Sequence, residues 1–283
     1  MRVNFVAMKW GSAFSPETVN SLYLAVKKNY DGDFKFHCFT DDSHGIFTQI
    51  DCRPIPDMDL TPTMWRSGCW AKLSVFKPGL FPDRELVIFL DLDLMIIGRL
   101  EPIVEAVRRT PGLTTLREWN PWLLSLLPLF MRPDRGVQSA VFGFESGTLD
   151  YIYHDFVADK ERARSLAFND QRYLTKVARN RSYLSRKFYV SFKHDCVDYY
   201  PLSLLRPIRK PNTSIIVFHG RPRPWELCQA PGIRWGTPRK FDYNPVAWVV
   251  EYYESLKAVA SGLAQQGKHG QQEEVQPSEG TAV

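Results

Sequence analysis

The sequence predicts an α/β domain with a mostly parallel central sheet flanked by helices. Strand, helix and strand patterns follow one another near the N-terminus at the spacing of a parallel βαβ unit. Residues 85–98 (ELVIFLDLDLMIIG) then begin as a continuous apolar, β-branched run, which is typical of a strand buried on both faces. The composition, with 44% hydrophobic and 24% charged residues among 283, is that of a globular chain that can bury a large core.

The first elements can be assigned in order. Residues 3–8 (VNFVAM) form a short apolar run that predicts a buried first strand. Residues 16–29 have apolar positions at helical spacing, and Ser15 followed by Pro16 suits an N-cap and first helical position. Residues 34–40 (FKFHCFT) alternate and predict a second strand. Residues 64–76 predict a second helix, which Pro78 and Gly79 would end.

The central strand within residues 85–98 is followed by weaker but regular patterns. Further helices are predicted at 102–109, 149–157, 169–177 and 245–259, and further strands at 137–144 and 215–218. Residues 119–131 (WNPWLLSLLPLFM) are apolar and interrupted by prolines, which fits core packing, a lid over a site or an interfacial anchor. The prediction is one domain over 1–262 and a disordered tail over 263–283, whose Gln, Glu, Gly, Ser and Pro cannot bury enough apolar surface to order.

The net charge and the cysteines limit the classes of partner and the cellular compartment that we expect. The net charge of +5 comes from scattered Lys and Arg, so we expect no nucleic-acid partner. A mild basic excess suits a solvated surface, an anionic ligand such as a diphosphate, or peripheral contact with an acidic membrane. Five cysteines without a CxxC pair indicate reduced thiols. With no signal-peptide pattern and no apolar run of about 20 residues, we expect a cytoplasmic protein.

Asp91 and Asp93 form the motif with the clearest chemistry. They end the predicted central strand, at the sheet edge where open α/β folds bind ligands. Two residues apart in extended backbone, they project to the same side and repel each other unless a cation lies between them. Mn²⁺ or Mg²⁺ suits such carboxylates and a departing diphosphate. The plainer interpretation is that strand-end aspartates cap the next helix or bind loop amides.

Four further positions could join this motif, each with a structural alternative. Lys72 could reach a phosphate as a point charge, or be a solvated helix lysine. Asp170 and Gln171 could face a sugar, or serve the capping of their helix. His219 could be a third metal ligand, or a structural histidine.

Several segments together resemble glycosyltransferase family 8 and its GT-A relatives. They are, in order, FVAMKWG, FHCFTDD, the stretch from WAKLSVF through FLDLDL to GRLEPI, VQSAVFGFESG, NDQRYL and FHGRPRPW. Each is weak alone, but the ordered series covers most of residues 3–225. The resemblance implies a GT-A fold and a metal-dependent hexosyltransferase that uses a nucleotide-sugar donor, with UDP-sugar expected, and a saccharide or glycan acceptor.

The resemblance also implies roles residue by residue. Asp91 and Asp93 would bind Mn²⁺ and the donor diphosphate, Lys72 and Arg223 would contact the phosphates, and Asp170 and Gln171 would lie beside the sugar. The positions implied near the nucleoside are Ala7, Lys9 and Thr40. There are three departures: the family's metal-binding histidine aligns with Val217 rather than His219, Arg223 replaces a lysine, and Gln138 replaces an asparagine.

Members of the family retain anomeric configuration, and no carboxylate other than Asp170 is evident from the sequence beside Gln171, which is compatible with retention. Acceptor specificity is expected in residues 119–135 and 178–210. Three alternatives stay open: a haloacid-dehalogenase-type phosphotransferase, whose DxD would normally follow the first strand; a nucleotide-sugar-binding protein of the same fold without turnover; and an interaction scaffold that uses residues 119–131.

Overall fold

The computed structural model describes residues 2–120, 124 and 127–273. Its strands are β1 Val3–Lys9, β2 Phe34–Thr40, β3 Asp51–Arg53, β4 Leu86–Leu90, β5 Leu94–Ile96, β6 Leu113–Arg117, β7 Val137–Glu145, β8 Arg181–Tyr183, β9 Tyr189–Ser191, β10 Ile215–Val217, β11 Arg234–Thr237 and β12 Lys240–Tyr243. Its α-helices are α1 Pro16–Asn29, α2 Pro62–Arg66, α3 Glu101–Arg109, α4 Asp150–Ala158, α5 Lys160–Leu166, α6 Asp170–Val177, α7 Leu202–Leu205 and α8 Ala247–Glu273.

The central sheet has seven strands in the order β3-β2-β1-β4-β7-β6-β8. Strands β3, β2, β1 and β4 are parallel, β7 is antiparallel to both β4 and β6, and β8 is parallel to β6. The predicted mixed α/β fold with a mostly parallel sheet is therefore confirmed. The predicted βαβ unit is present, and its helix α1 has the bounds that the sequence indicated.

Alternation along the strands divides the core between the two faces of the sheet. In β1, Phe5 and Ala7 lie in one hydrophobic cluster, with α1, α3 and the start of α8. Val6 and Met8 lie in the other cluster, with α4 and α6. Successive strand residues point to opposite faces, so a strand covered on both sides must be apolar throughout. Each large apolar side chain buried in this way stabilises the fold by about 1.5–3 kcal/mol.

The helix predicted over residues 64–76 is broken in two, and the prediction of one continuous helix was wrong. Helix α2 ends at Arg66, and a separate 3₁₀ helix spans Trp70–Phe76. Between them Gly68 and Cys69 have positive φ angles of 87° and 51°, which a right-handed helix does not accept. The break turns the second half inwards, so that all seven residues of the 3₁₀ helix, Lys72 included, are buried.

The C-terminal helix is longer than the sequence indicated. Helix α8 continues to Glu273, into the segment expected to be disordered, and residues 274–283 lie outside the described residues. The Ala, Leu, Gln and Lys in this stretch have favourable helix propensities, and they continue a helix that is already anchored. Within the described part of the chain, no helix combines the length and apolar character needed to cross a membrane.

Candidate active site

Parallel strands bring the predicted nucleoside residues and the aspartates to one edge of the sheet. Lys9 and Thr40 end β1 and β2 as register partners, and Asp91 directly follows β4. The Lys9 ammonium donates to the Asp42 carbonyl at 3.4 Å, and the Thr40 hydroxyl donates to the same carbonyl at 2.9 Å. Ala7 is fully buried, and its methyl group belongs to the core beneath this edge.

Lys72 is bound to Asp91. Its ammonium lies 2.6 Å from Oδ1 and 2.9 Å from Oδ2 of the carboxylate, and the lysine is only 7% exposed. Burial opposes the charged ammonium, but the carboxylates of Asp91 and Asp170 outweigh that effect and raise the pKa of Lys72. The alternative of a solvated helix lysine is wrong. In this structure Lys72 holds Asp91 in place.

Asp93 lies in the turn between β4 and β5, where its charge is less well compensated. Burial, and next the negative charge of Asp91, raise its pKa to about 7, although Lys72 and Arg223 oppose this shift. When two carboxylates lie close together, the negative charge of one makes it harder for the other to lose its proton. A cation bound between them is therefore favoured. Asp93 lies in a turn and not in the extended backbone that the sequence analysis assumed, so the expectation of a cation depends on the nearness of the two charges and not on strand alternation.

Asp170 is buried at the start of α6 but does not cap that helix. The cap is Asn169, whose side chain accepts from the Arg172 backbone N–H at 2.9 Å. Asp170 is 3% exposed, its backbone N–H donates to the Gly68 carbonyl, and its Oδ2 atom has no hydrogen-bond partner. Burial raises its pKa to about 6, against the opposing effects of Lys72 and the Ser139 hydroxyl. The N-cap expected at this point of the chain is therefore Asn169, and Asp170 does not cap the helix.

Gln171 is paired with a residue that the sequence analysis missed. Its side-chain amide donates to Oε2 of Glu118, and Oε1 of Glu118 accepts from the Trp119 backbone N–H at 3.0 Å. Glu118 follows β6, a strand that was not recognised. The only signal was the short β-type run LTTL before two charged residues. A carboxylate other than Asp170 therefore lies beside Gln171, and it was not evident from the sequence.

Arg223 contributes a partly buried cation that forms no salt bridge with the residues that the structure describes. Its guanidinium lies 4.3 Å from the ring centroid of Phe14 and 5.5 Å from that of Trp225, and its Nη1 atom is buried without a partner. It is close enough to Asp93 to lower the pKa of that carboxyl group. Arg223 thus presents a fixed positive charge to the aspartates, as the resemblance implied for a phosphate contact.

His219 does not join Asp91 and Asp93. Its ring lies 4.6 Å from Trp119 and 5.8 Å from His194, and its Nε2 atom is buried without a partner. Burial, followed by the nearby His194 and Lys193, lowers its pKa to about 4, so the ring is neutral. Over residues 2–120 and 127–273, no three His, Cys, Asp or Glu side chains form a group that could hold a metal ion.

The structure of the chain is similar to solved structures of glycosyltransferases. Neither a protein-family model nor a curated protein sequence matches the chain. An active-site mutant of LgtC superposes with a TM-score of 0.55 at 14% identity, over 89% of this chain and 95% of LgtC. LgtC, a galactosyltransferase, in complex with donor and acceptor sugar analogues gives 0.51 at 13% identity, over 80% and 89%.

The glycosyltransferase GlyE of Streptococcus pneumoniae gives a TM-score of 0.57 at 13% identity, over 93% of this chain. The chain spans 64% of the length of that GlyE structure. At such identities the similarity concerns the fold. The chain therefore has the GT-A-type α/β fold of these glycosyltransferases.

Proposed function

We propose that the protein is a glycosyltransferase that transfers a sugar from a nucleotide diphosphate sugar, with a UDP-sugar as the expected donor, to an acceptor hydroxyl. One observation carries the proposal. At the sheet edge where β4 ends, the Asp91 and Asp93 carboxylates lie near two buried polar atoms that have no hydrogen-bond partner among the described residues, Asp170 Oδ2 and Arg223 Nη1. Buried polar atoms are rarely left unpaired, so such a group indicates a ligand site.

A divalent cation fits part of this site. Asp91 and Asp93 supply the carboxylate oxygens that Mn²⁺ and Mg²⁺ prefer, and burial followed by the negative charge of Asp91 raises the pKa of Asp93, which a bound cation would lower. When bound, the cation would supply Lewis-acid stabilisation of the leaving diphosphate. His219 lies apart from this pair, so the proposed ligands from the chain are the two aspartates.

Two residues of the chain would fix the Asp91 carboxylate and bind the diphosphate. Lys72 fixes the Asp91 carboxylate through the 2.6 Å ion pair. Arg223 offers a guanidinium fork for the diphosphate, and its position between two aromatic rings keeps it in place before the ligand arrives. Fixed charges aimed at a leaving group are commonly the largest part of enzymatic rate enhancement.

Asp170 and Gln171 would face the sugar. Because the Gln171 amide is held by Glu118, its orientation depends on that carboxylate. Retention of anomeric configuration stays part of the proposal through the family resemblance alone. Proton NMR of the anomeric signal in the first product formed would test it, and inversion would assign Glu118 as a candidate base.

A nucleotide-sugar-binding protein without turnover is the second candidate function. The observation that favours it is the separation of His219 from the two aspartates, which leaves the proposed cation site with fewer ligands from the chain. UDP would then bind, but UDP-sugars would be neither hydrolysed nor transferred. The phosphotransferase alternative does not fit, since the fold is that of glycosyltransferases and the aspartates follow β4.

Calorimetric titration with UDP, with and without Mn²⁺, tests the donor site. We expect micromolar binding that requires Mn²⁺ and is lost in Asp91→Asn/Asp93→Asn. The chain offers a matched control in Asp57→Asn/Asp59→Asn, since these two exposed aspartates have the same spacing outside the site. No binding of UDP to the wild type with Mn²⁺ would overturn the uridine assignment, and GDP would be tried next.

We also propose a cytoplasmic location with peripheral membrane contact. Phe130 and Met131 are 88% and 54% exposed, beside the basic residue Arg132. Most of the apolar segment before them, residues 121–123, 125 and 126, lies outside the described residues. Co-sedimentation with anionic vesicles should fall in Phe130→Ser/Met131→Ser, and equal sedimentation of both proteins would refute the contact.

A further inference from the structure

A strongly basic cavity lies beside the candidate donor site. It has a volume of about 480 Å³, within the range of small-molecule sites. Trp119 joins the two sites, because it lines the cavity and its chain neighbour Glu118 bonds Gln171. The cavity is lined from both segments in which the sequence analysis expected acceptor specificity, 119–135 and 178–210.

Among the described residues that line this cavity, four are cations and one is a carboxylate. The cations are Arg117, Arg132, Arg186 and Lys240, and the carboxylate is Asp195. Asp195 is already engaged, since its Oδ2 atom accepts from the Trp119 indole N–H at 3.0 Å and from the Ser191 backbone N–H at 2.7 Å. The cavity therefore holds a positive charge that its own lining does not balance.

Aromatic rings hold three of these cations in place. The Arg186 guanidinium lies 4.4 Å from the ring centroid of Trp119 and 4.8 Å from that of Tyr189. Arg117 lies over Tyr183 at 4.9 Å. The Lys240 ammonium lies 4.2 Å from the Tyr199 ring centroid, and Lys240 is only 9% exposed. A planar guanidinium stacked in this way keeps its N–H groups directed at a ligand.

The contacts of Lys240 and Arg186 within the described part of the chain leave both cations able to bind an anion. Lys240 donates to the carbonyl of Lys193 at 2.8 Å, and Arg186 donates to the carbonyl of Arg117 at 3.3 Å. In the described part of the chain, neither makes a salt bridge with a carboxylate. Arg117 forms a salt bridge with Asp134 at 3.7 Å. Carbonyl contacts satisfy donors without neutralising charge, so a bound anion would gain full charge-assisted hydrogen bonds.

We propose that this cavity binds the acceptor and that the acceptor is an anionic saccharide, carrying a phosphate or a carboxylate. The partly exposed ring of Tyr199 would contact the sugar ring, and the cations of Arg186 and Lys240 would bind its charged group. The role of this sugar as the acceptor rests on the proposed glycosyl transfer. The preference of the cavity for an anionic sugar follows from its lining residues and does not depend on that proposal.

The test is calorimetric titration of metal-free protein, prepared with chelating resin, with glucose 6-phosphate, glucuronate and glucose. Without metal the aspartate site contributes no cation. We expect at least one charged sugar to bind about tenfold or more tightly than glucose, with affinity falling as salt rises. Which charged sugar binds better distinguishes a phosphate-bearing from a carboxylate-bearing acceptor. Equal binding of all three sugars, or no binding of any, would overturn the proposal.

Single-residue variants test where the charged sugar binds. Arg186→Gln and Lys240→Gln should each weaken the charged sugar about tenfold and leave glucose unchanged. Arg179→Gln is the matched control, because Arg179 is an exposed arginine stacked on Tyr151 at 4.5 Å, outside this cavity. Arg186 is exposed, so its variant should fold, and circular dichroism checks this. Loss of binding in Arg223→Gln but not in Arg186→Gln would place the anion at the diphosphate site and refute the proposal.

The UDP titration separates this proposal from the proposed function. If UDP with Mn²⁺ fails to bind while the charged sugar binds through Arg186 and Lys240, the donor assignment is wrong and the anionic-sugar site stands. If UDP binds while charged sugars bind no better than glucose, the donor site stands and the acceptor class is wrong.

Discussion

Replacing Lys72 by methionine removes one partner of the ion pair on which the candidate active site is built. The ammonium of Lys72 lies 2.6 Å from Asp91, with side-chain exposures of 9% for the lysine and 23% for the aspartate. Methionine has a similar length and apolar character, so the packing of the 3₁₀ helix is preserved. The variant leaves the Asp91 carboxylate in a largely buried position without its counter-charge.

The expected cost follows from that burial. Breaking a buried pair by removing one partner typically costs about 3–5 kcal/mol. Asp91 keeps some contact with solvent, so we expect the lower end, about 3 kcal/mol. In Lys72→Met/Asp91→Asn the stranded charge is also removed, and the double variant should recover at least about 1.5 kcal/mol relative to the sum of the single variants.

Urea denaturation at pH 7, followed by circular dichroism and tryptophan fluorescence, measures these free energies of unfolding. Lys77→Met is the control, because Lys77 directly follows the same 3₁₀ helix and is only half-buried; it should stay within about 0.5 kcal/mol of the wild type. A loss below about 1 kcal/mol for Lys72→Met, or simple additivity in the double variant, would refute the reasoning that this pair is buried and coupled.

Three further predictions concern the start of α6 and its partner. The pKa of Asp170, raised from 3.8 to about 6, means that its contribution to stability is present below pH 3.8 and lost as pH rises through 6. Asp170→Asn should therefore gain about 2.4 kcal/mol relative to the wild type between pH 4 and pH 7 in urea denaturation, and parallel pH profiles would contradict this. Asn169→Ala should lose about 1 kcal/mol with the cap while Asn169→Asp keeps it; equal melting temperatures for both variants would show that the cap contributes nothing. Glu118→Gln should lower sugar transfer about 10- to 100-fold through misplacement of Gln171 while UDP affinity stays unchanged, and a parallel loss of UDP affinity by calorimetry would indicate a general structural role instead.

The strands and helices with clear local signals were predictable. Helix α1 begins at Pro16 after Ser15 because the N-cap and first-turn preferences are local, and it was predicted to its observed bounds. Strand β4 was recognisable because a strand covered on both faces must be apolar, and Asp91 follows it directly. The fold class and the position of the aspartates at the sheet edge therefore follow from residues close together in the chain.

Other features needed the tertiary structure because they join residues far apart in sequence. The break at Gly68 depends on the left-handed backbone there, and it turns Lys72 towards Asp91. The contact between Gln171 and Glu118 requires α6 and the end of β6 to meet.

His219 shows most clearly what could not be predicted from the sequence alone. The residue type and its place after β10 suggested a metal ligand, but packing directs its ring to Trp119 and His194. Sequence by itself determined which residues end the strands of the sheet and hence where the candidate site lies. Only tertiary packing decided which charges meet there, because burial and long-range contacts, and not spacing along the chain, set the partner and the protonation state of each side chain.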